Sequence, residues 1–210
     1  MCTCGGSACS RRQRKVATQH NDISFSVINE PDISAELDSS IRDTLVVCFP
    51  ADREYYRNQS WWHCVPVYRV LARDREDFIV AHTAVVERVI TCGQSAKVRV
   101  AGIQSFCVLP KYRGTGLSDK MMSVAMQEAK TRGFDAGLLF CLPQLEPVYG
   151  RMGWSRLDAV VYMDDVQAGK TPIPTKNITM FYPLLAPAFR RGYLTTPFPA
   201  GDIDLAGTDW

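Results

Sequence analysis

The chain is most constrained where a predicted strand runs into a glycine-containing turn and then a helix. An apolar run over residues 103–109 predicts a strand, and Pro110 ends it. Gly114 and Gly116 lie in the short basic turn that follows, and a helical pattern begins directly after them. Glycine lets a main chain approach a ligand where a side chain would block it. The turn therefore favours a ligand site, although glycines also occupy such turns for purely steric reasons.

The chemistry of this turn suits a pyrophosphate. The first N–H groups of a helix lack carbonyl partners and lie at the positive end of the helix dipole. Lys111 and Arg113 add two cations close to those groups. The turn is not a nucleoside-triphosphate P-loop, because no Gly-Lys-Ser/Thr follows it. It also lacks the three spaced glycines and the later acidic residue of a dinucleotide fingerprint.

Length and composition predict one well-buried domain. The chain has 210 residues, of which 46% are hydrophobic and 22% charged. The formal net charge of +2 provides no overall field that would attract nucleic acid or a membrane surface. No apolar stretch reaches the roughly 20 residues that a membrane span needs. We therefore expect a single domain over residues 21–210, with neither a nucleic acid nor a membrane as a partner.

The two ends of the chain differ from this domain. Residues 1–20 combine cysteines, small residues and a basic cluster, which predicts a flexible basic tail and not a secretory signal. The Cys-x-Cys spacing in this tail lacks the second half of a metal site, so no metal is expected. Residues 186–210 are rich in Pro and Gly and predict a C-terminal tail.

Five of the eight cysteines lie inside or beside apolar segments and are expected to be buried thiols: Cys48, Cys64, Cys92, Cys107 and Cys141. Free thiols of this kind indicate a reducing compartment, and we expect a cytoplasmic location. Cys107 or Cys141 remains open as a nucleophile, although no histidine pairs with either in a recognisable context.

Hydrophobic periodicity predicts an α+β domain in which antiparallel strands precede the glycine turn. Predicted strands cover residues 23–28, 65–72, 78–90, 97–109, 136–142, 154–163 and 177–184. Predicted helices follow Ser34 as an N-cap, follow the glycine turn up to Gly133, and cover residues 145–152. Residues 51–64 are rich in Tyr and Trp, and are expected to be either a lid over the core or a wall of a substrate site.

Two motifs together resemble the GNAT acetyltransferase superfamily. Lys111-Tyr-Arg-Gly-Thr-Gly116 resembles its Q/R-x-x-G-x-G/A acyl-CoA loop, with Lys111 departing from Gln or Arg at the first position. Tyr149-Gly-Arg-Met-Gly-Trp154 resembles its Tyr-x-x-x-Gly-Phe/Trp element. The segment Ala81-His-Thr-Ala-Val-Val86 and the final Asp-Trp are similar to the aminoglycoside 2'-N-acetyltransferases, and the rhizobial nodulation acyltransferases share the His-containing strand more loosely. Where the aminoglycoside enzymes carry a Glu before the loop, this chain has Gln104.

The resemblance implies a mostly antiparallel sheet, flanked by helices and splayed at the site of an acyl-CoA. Its diphosphate would lie on the main-chain amides from Arg113 to Ser118, and its pantetheine arm would pair with the preceding strand. The implied cofactor-binding residues are Phe106, Cys107, Val108, Lys111, Arg113, Gly114, Thr115, Gly116, Leu117 and Ser118.

The resemblance also implies direct attack of an amine on the thioester of acetyl-CoA. Tyr149 is the implied acid for the leaving thiolate, with a buried core tyrosine as the alternative. The amine needs a base or a water chain. We take Glu87 as the candidate base. The other carboxylates and the histidine that remain open are His82, Asp202, Asp204 and the carboxylate of Trp210.

The activity implied is an acetyl-CoA-dependent N-acetyltransferase acting on a small-molecule amine. Two alternatives stay open. One is an N-acyltransferase that uses longer acyl chains. The other is a non-catalytic acyl-CoA-binding module, which Gln104 favours because the Glu of the aminoglycoside enzymes is missing there. A homodimer is also left open, since strand edges in this fold often pair between subunits.

Overall fold

The computed structural model describes residues 23–184 and 199–210. The expected basic tail (residues 1–20) and most of the Pro/Gly-rich segment before residue 199 lie outside this description. The described helices are α1 (Ala35–Cys48), α2 (Arg53–Asn58), α3 (Leu117–Thr131) and α4 (Glu146–Arg151). The strands are β1 (Ser24–Asn29), β2 (Tyr68–Arg73), β3 (Ile79–Cys92), β4 (Ala96–Val108), β5 (Ala136–Cys141), β6 (Ser155–Leu157), β7 (Val161–Asp165), β8 (Gly169–Pro172), β9 (Ile178–Pro183) and β10 (Ile203–Asp204).

These strands form one mixed sheet. Along its main path the order is β6-β9-β5-β4-β3-β10-β7-β8, and β1 and β2 extend it from the other half of β3. The pairs β4–β5 and β10–β7 are parallel, and the remaining pairs are antiparallel. The predicted α+β class with a mostly antiparallel sheet is confirmed.

Helices cover both faces of the sheet. α3 buries Met121 and Ala125 against β2, β3 and β4, where they join the main hydrophobic core. α1 packs Ile41 and Leu45 on the opposite face, together with Leu71 of β2. The predicted cap of α1 is confirmed, because the Ser34 hydroxyl accepts a hydrogen bond from the Leu37 amide at 3.2 Å.

The C-terminal segment departs from the expected tail. Residues 203–204 form β10, which inserts between β3 and β7. Ile203 and Leu205 are almost fully buried on one side of this segment, and Trp210 is buried against the centre of the sheet. Pro and Gly correctly indicated turns, but the alternation of apolar residues beyond Gly201 is what brings the chain back into the sheet. The predicted strand over 154–163 is likewise two strands, β6 and β7.

No described helix is long and apolar enough to cross a membrane. Within the same residues, no group of three or more His, Cys, Asp or Glu side chains is arranged to hold a metal ion.

Candidate functional site

The centre of the sheet is split between β4 and β5. The two strands pair over only three positions, Val100–Gly102 with Ala136–Leu138. Beyond them β4 continues to Val108 and β5 to Cys141 without pairing to each other. Main-chain groups along that edge of β4 consequently lack a strand partner within the described residues. An unpaired strand edge inside a sheet can accept an extended ligand as an additional strand.

A bulge marks the start of this split. β3 and β4 lose register between His82 and Ala84, so two β4 residues, Ser105 and Phe106, face Thr83 alone. Ser105 has a positive φ of 50°, which is uncommon for a residue other than glycine. His82 stabilises this conformation, because its Nδ1 lies 3.0 Å from the Ser105 carbonyl oxygen. The bulge changes the direction of β4 at Phe106, the first of the predicted pantetheine-binding residues.

The glycine turn follows β4 and leads into α3. Gly114 and Gly116 have φ values of 73° and 78°. A Cβ built on either glycine would meet open space, so backbone conformation and not crowding requires glycine there. The amides of Gly114, Thr115 and Gly116 have no hydrogen-bond acceptor among the described residues. Gly116 is the N-cap of α3 and offers no side chain, which leaves the first amides of the helix uncapped as well.

The structure adjusts the expected roles of the two basic residues. The main-chain N–H of Arg113 donates to the Pro110 carbonyl at 3.2 Å, so this amide is already engaged. Its guanidinium Nε donates to the Val108 carbonyl at 3.0 Å and fixes the turn to the end of β4. The Lys111 ammonium lies 4.8 Å from the ring centre of Tyr112. Both cations therefore have protein partners, and their contact with a diphosphate stays a prediction.

Tyr149 lies on α4 at the open side of the split. Its ring packs against Phe106 at 6.1 Å and Trp154 at 6.3 Å between ring centres. The Trp154 amide donates to the Tyr149 carbonyl at 3.2 Å. Gly153 has a φ of 89°, and a Cβ there would lie 3.1 Å from the Tyr182 ring. The motif spacing therefore has a physical cause: the glycine turns the chain so that Trp154 supports the tyrosine.

The environment of Tyr149 keeps its phenol protonated. Burial, with a smaller contribution from Cys141, raises the pKa of Tyr149 well above its ordinary value. Its hydroxyl has no hydrogen-bond partner among the described residues. The group is thus a neutral donor that faces the split without competition from the protein.

A cavity of about 360 Å³ occupies the split. It is lined by Phe49, Asp52, Tyr56, Trp62, Ile103, Gln104, Ser105, Phe106, Leu139, Phe140, Cys141, Leu142, Leu145, Tyr149, Asn177 and Trp210. The predicted residues Phe106 and Tyr149 meet here. The residues from α2 and the following loop were expected to form either a lid or a substrate wall, and the structure places three of them, Asp52, Tyr56 and Trp62, in the wall.

Glu87 does not belong to this cavity. Both of its carboxylate oxygens accept hydrogen bonds from Arg99, at 2.7 and 2.9 Å. The Arg99 guanidinium also donates to the Arg132 carbonyl and stacks on Phe134 at 4.3 Å. The hydrogen bond from Arg99 lowers the pKa of Glu87. A carboxylate that is paired in this way, away from the split, is unsuited to remove a proton from an amine, and we drop Glu87 as the candidate base.

His82 is buried completely and is also unsuited to act as a base. Burial, followed by the charge of Arg69, lowers the pKa of His82 to about 3. Its Nε2 has no hydrogen-bond partner among the described residues. The imidazole is therefore neutral near pH 7 and serves the bulge through its bond to Ser105.

Gln104 organises the loop that carries the aromatic wall. Its side-chain oxygen accepts the Trp62 amide, and its Nε2 donates to the Cys64 carbonyl at 2.7 Å. Both ends of the amide are used, and a carboxylate at this position would lack the donor for Cys64. Gln104 in place of Glu thus has a structural function in this chain.

Of the remaining carboxylate candidates, the two aspartates lie away from this cavity, whereas Trp210 lines it. Asp204 pairs with Lys170, which lowers the pKa of the aspartate. Asp202 lines a separate cavity beside β7 and β9. The Trp210 ring does reach the split, where it packs on Phe140 at 5.2 Å and closely against Gly102. Sequence reasoning identified Trp210 only through its carboxylate, whereas its indole forms part of the cavity.

The two cysteines left open as nucleophiles are both protonated thiols. Burial raises the pKa of Cys141 to about 11. A hydrogen bond with Cys48, together with burial, raises the pKa of Cys107. Neither thiol is activated as a thiolate nucleophile requires.

Comparison with known proteins agrees with this geometry. Residues 34–157, more than half of the chain, match the sequence model of the family described as "Acetyltransferase (GNAT) domain". This segment contains the bulge, the glycine turn and Tyr149. No curated protein matches the chain significantly.

Solved structures share the fold at low sequence identity. A GNAT family N-acetyltransferase of Escherichia coli, YhbS, was solved in complex with CoA; it has a TM-score of 0.58 at 15% identity, covering 89% of this chain and 91% of its own. An acyl-CoA N-acyltransferase of Pseudomonas aeruginosa has a TM-score of 0.55 at 16% identity, covering 76% and 99%. Escherichia coli ElaA has a TM-score of 0.54 at 15% identity, covering 76% and 99%. These structures cover 76% to 89% of the chain, so the shared fold extends beyond the segment that the family model matches.

Proposed function

The chain belongs to the GNAT acetyltransferase family, and from this premise we propose that it transfers an acetyl group from acetyl-CoA to the primary amine of a small molecule. The observation that supports the proposal most is the split between β4 and β5. The split combines an unpaired strand edge with a protonated tyrosine, and the turn with free amides directly follows the same strand, β4. Acyl-CoA-dependent N-acyl transfer uses each of these elements.

The residues on the cofactor side fit an acyl-CoA. The free amides of Gly114, Thr115 and Gly116, with the uncapped first turn of α3, provide donors for a diphosphate. The absent Cβ atoms at both glycines leave the approach open. The unpaired edge of β4 beyond Gly102 provides donors and acceptors for the amides of a pantetheine arm. When bound there, acetyl-CoA supplies an activated thioester.

Tyr149 is the proposed proton donor to the thiolate that leaves. Its raised pKa keeps the phenol protonated, and its free hydroxyl can form a strong hydrogen bond to a developing anion. A main-chain N–H at the unpaired edge of β4 can stabilise the oxyanion. Because neither Glu87 nor His82 suits the task of a base, water in the open cleft is the proposed proton acceptor for the amine.

The size of the cleft supports acetyl over long acyl groups. About 360 Å³ must hold the thioester end and the acceptor together, which is near the lower limit of ordinary ligand cavities, roughly 300 Å³. Acetyl-, hexanoyl- and palmitoyl-CoA at equal concentration should therefore give falling turnover. Equal or better turnover with the long chains would contradict the acetyl assignment.

A non-catalytic acyl-CoA-binding module is the second candidate function. It is favoured by one observation: Gln104 is engaged in holding the loop, and Asp52 carries the only side-chain carboxylate among the described residues that line the cleft. Calorimetry with CoA and release of free thiol in the presence of amines separate the two functions. Binding with amine-dependent thiol release supports the enzyme, and binding without release from any amine supports the module.

A further inference from the structure

The wall of the cleft formed by α2 and its flanking segments is largely aromatic. Phe49 and Tyr56 lie 5.2 Å apart between ring centres, and Tyr56 and Trp62 lie 6.3 Å apart. We call these three residues the aromatic wall. Phe140 and Trp210, which are themselves in contact at 5.2 Å, line the same cavity from β5 and the C-terminal segment. A molecule in this part of the cleft would therefore meet mainly ring carbon atoms.

The aromatic wall is held rigidly and not merely collapsed into the cleft. The Tyr56 hydroxyl is hydrogen-bonded to the Ser105 hydroxyl at 3.1 Å, which connects the wall to the β4 bulge. Gln104 holds the Trp62 main chain, and Tyr55 packs behind Trp62 at 4.5 Å. Pre-organised rings of this kind bind apolar or cationic groups at little conformational cost.

The charged groups that line the cavity also restrict which ligands can bind there. Among the described residues, no Lys, Arg or His lines the cavity, and Asp52 carries its only side-chain carboxylate. No ion pair within the described residues engages Asp52. Burial is the main cause that raises the pKa of Tyr56 to about 12, and the negative charge of Asp52, which lines the same cavity, adds to it. The cleft thus offers one anionic side chain beside several ring faces.

We propose that the acceptor is a monoamine with an aryl or alkyl body, whose ammonium group is recognised by Asp52 and whose body packs on the aromatic wall. This inference rests on the proposed function and specifies its substrate class. A polyamine or an aminoglycoside carries several cations and would leave most of them unpaired beside aromatic rings. The other acidic groups near the C-terminus do not help, because Asp204 pairs with Lys170 and Asp209 with His63.

The test begins with a panel of amines and purified full-length protein. Tryptamine, 2-phenylethylamine and hexylamine are compared with spermidine, ethanolamine and kanamycin, with acetyl-CoA as donor and thiol release as the signal. We expect kcat/KM for the first three to exceed that for the others by at least about tenfold, as burial of apolar surface predicts. Equal or higher kcat/KM for kanamycin or spermidine would overturn the inference and leave the acetyltransferase function intact.

Variants at two positions test the role of Asp52. In Asp52→Asn, KM for 2-phenylethylamine should rise roughly three- to tenfold, with a smaller effect on kcat. Glu54→Gln is the matched control, since Glu54 lies two residues further on, in α2, but pairs with Arg57 outside the cavity. An unchanged KM in Asp52→Asn, or an equal rise in both variants, would contradict the assignment.

A non-reacting probe makes the test independent of catalysis. Calorimetry with phenethyltrimethylammonium and the CoA-bound protein should detect binding that Asp52→Asn weakens and Glu54→Gln does not. Failure of CoA itself to bind would contradict the proposed function and, with it, this inference. CoA binding without binding of the ammonium probe would contradict the substrate class alone.

Discussion

The two sides of the cleft are built from different parts of the chain. The proposed cofactor side consists of main-chain amides of one continuous segment, Gly114–Ser118, together with the edge of β4. The acceptor side uses side chains from distant segments, including Asp52, Trp62 and Trp210. A site made of main chain depends on backbone conformation and tolerates many side chains, whereas a site made of side chains changes with each substitution. The difference implies that the cofactor side fixes the reaction and the acceptor side fixes its specificity.

The largest effect is expected at Tyr149, where the two sides meet. Tyr149→Phe should lower kcat about 100-fold, because proton donation to the leaving thiolate is lost while the ring packing on Phe106 and Trp154 is kept. CoA affinity should stay the same. Steady-state kinetics and calorimetry on the same preparation measure both quantities. Tyr182→Phe is the control, since Tyr182 also packs on Trp154, at 5.6 Å, but does not line the cleft. An unchanged kcat in Tyr149→Phe would show that Tyr149 is not the proton donor.

The complete burial of His82 predicts that the free energy of unfolding falls as the pH is lowered. The folded protein keeps the imidazole neutral down to a pKa of about 3, whereas the unfolded chain binds a proton below its ordinary value of 6.5. The unfolded state therefore binds more protons as pH falls below 6.5, and the free energy of unfolding should drop by about 2 kcal/mol between pH 7 and pH 5. Urea unfolding at the two pH values measures this change.

Two variants test whether His82 causes the loss of stability in acid. His82→Gln should lose most of the pH dependence, whereas His63→Gln should retain it, because His63 is exposed and pairs with Asp209. If His82→Gln folds and shows the same loss of stability between pH 7 and pH 5, the neutral buried imidazole is not its source.

The dependence of the cofactor side on backbone conformation is tested at Gly116. Gly116→Val forces a β-branched residue to a φ of 78° and should weaken CoA binding about tenfold. Gly169→Val is the matched control, because Gly169 has a φ of 71°, equally open surroundings and a position in the β7–β8 turn. Both variants should lose similar stability, and only Gly116→Val should lose CoA affinity. Equal CoA affinity in the two would refute a main-chain site at this turn.

The smallest effect is expected at Glu87. Glu87→Gln should change kcat/KM by less than about twofold and lower the free energy of unfolding by about 0.5 kcal/mol or less, since the pair with Arg99 is partly exposed. The hydrogen bond from Arg99 lowers the pKa of Glu87, so this stabilisation exists above the unfolded pKa near 4.5 and is lost as pH falls below it. A large loss of kcat with unchanged stability would return Glu87 to the catalytic site.

The sequence predicted the strand, turn and helix of the proposed cofactor side better than the elements of the proposed acceptor side, for the same physical reason. Gly114, Gly116 and the flanking strand and helix are neighbours along the chain, so local pattern was enough to place them. Tyr149 was found through a motif whose basis is also local, the turn at Gly153 that brings Trp154 beneath it. The fold class followed from periodicity, and the α+β assignment is confirmed.

The predictions that were wrong depend on contacts between residues that are distant in the sequence. Glu87 was selected for its position along β3, but its neighbour across the sheet is Arg99, and sequence spacing does not reveal that pair. The C-terminal segment was expected to be a tail, and only the pairing of β10 with β3 and β7 explains how Trp210 reaches the split. The aromatic content of residues 51–64 was the one available signal for the acceptor wall.

The central claim is that free main-chain amides of the glycine turn bind the diphosphate of CoA. An ¹⁵N-labelled sample titrated with CoA tests it directly by two-dimensional NMR, because glycine amides are well separated in such spectra. The account predicts large shifts for Gly114, Thr115 and Gly116 that saturate with CoA, and no shift for Gly169, which shares their positive φ. Saturable binding of CoA with unmoved Gly114 and Gly116 signals would contradict it.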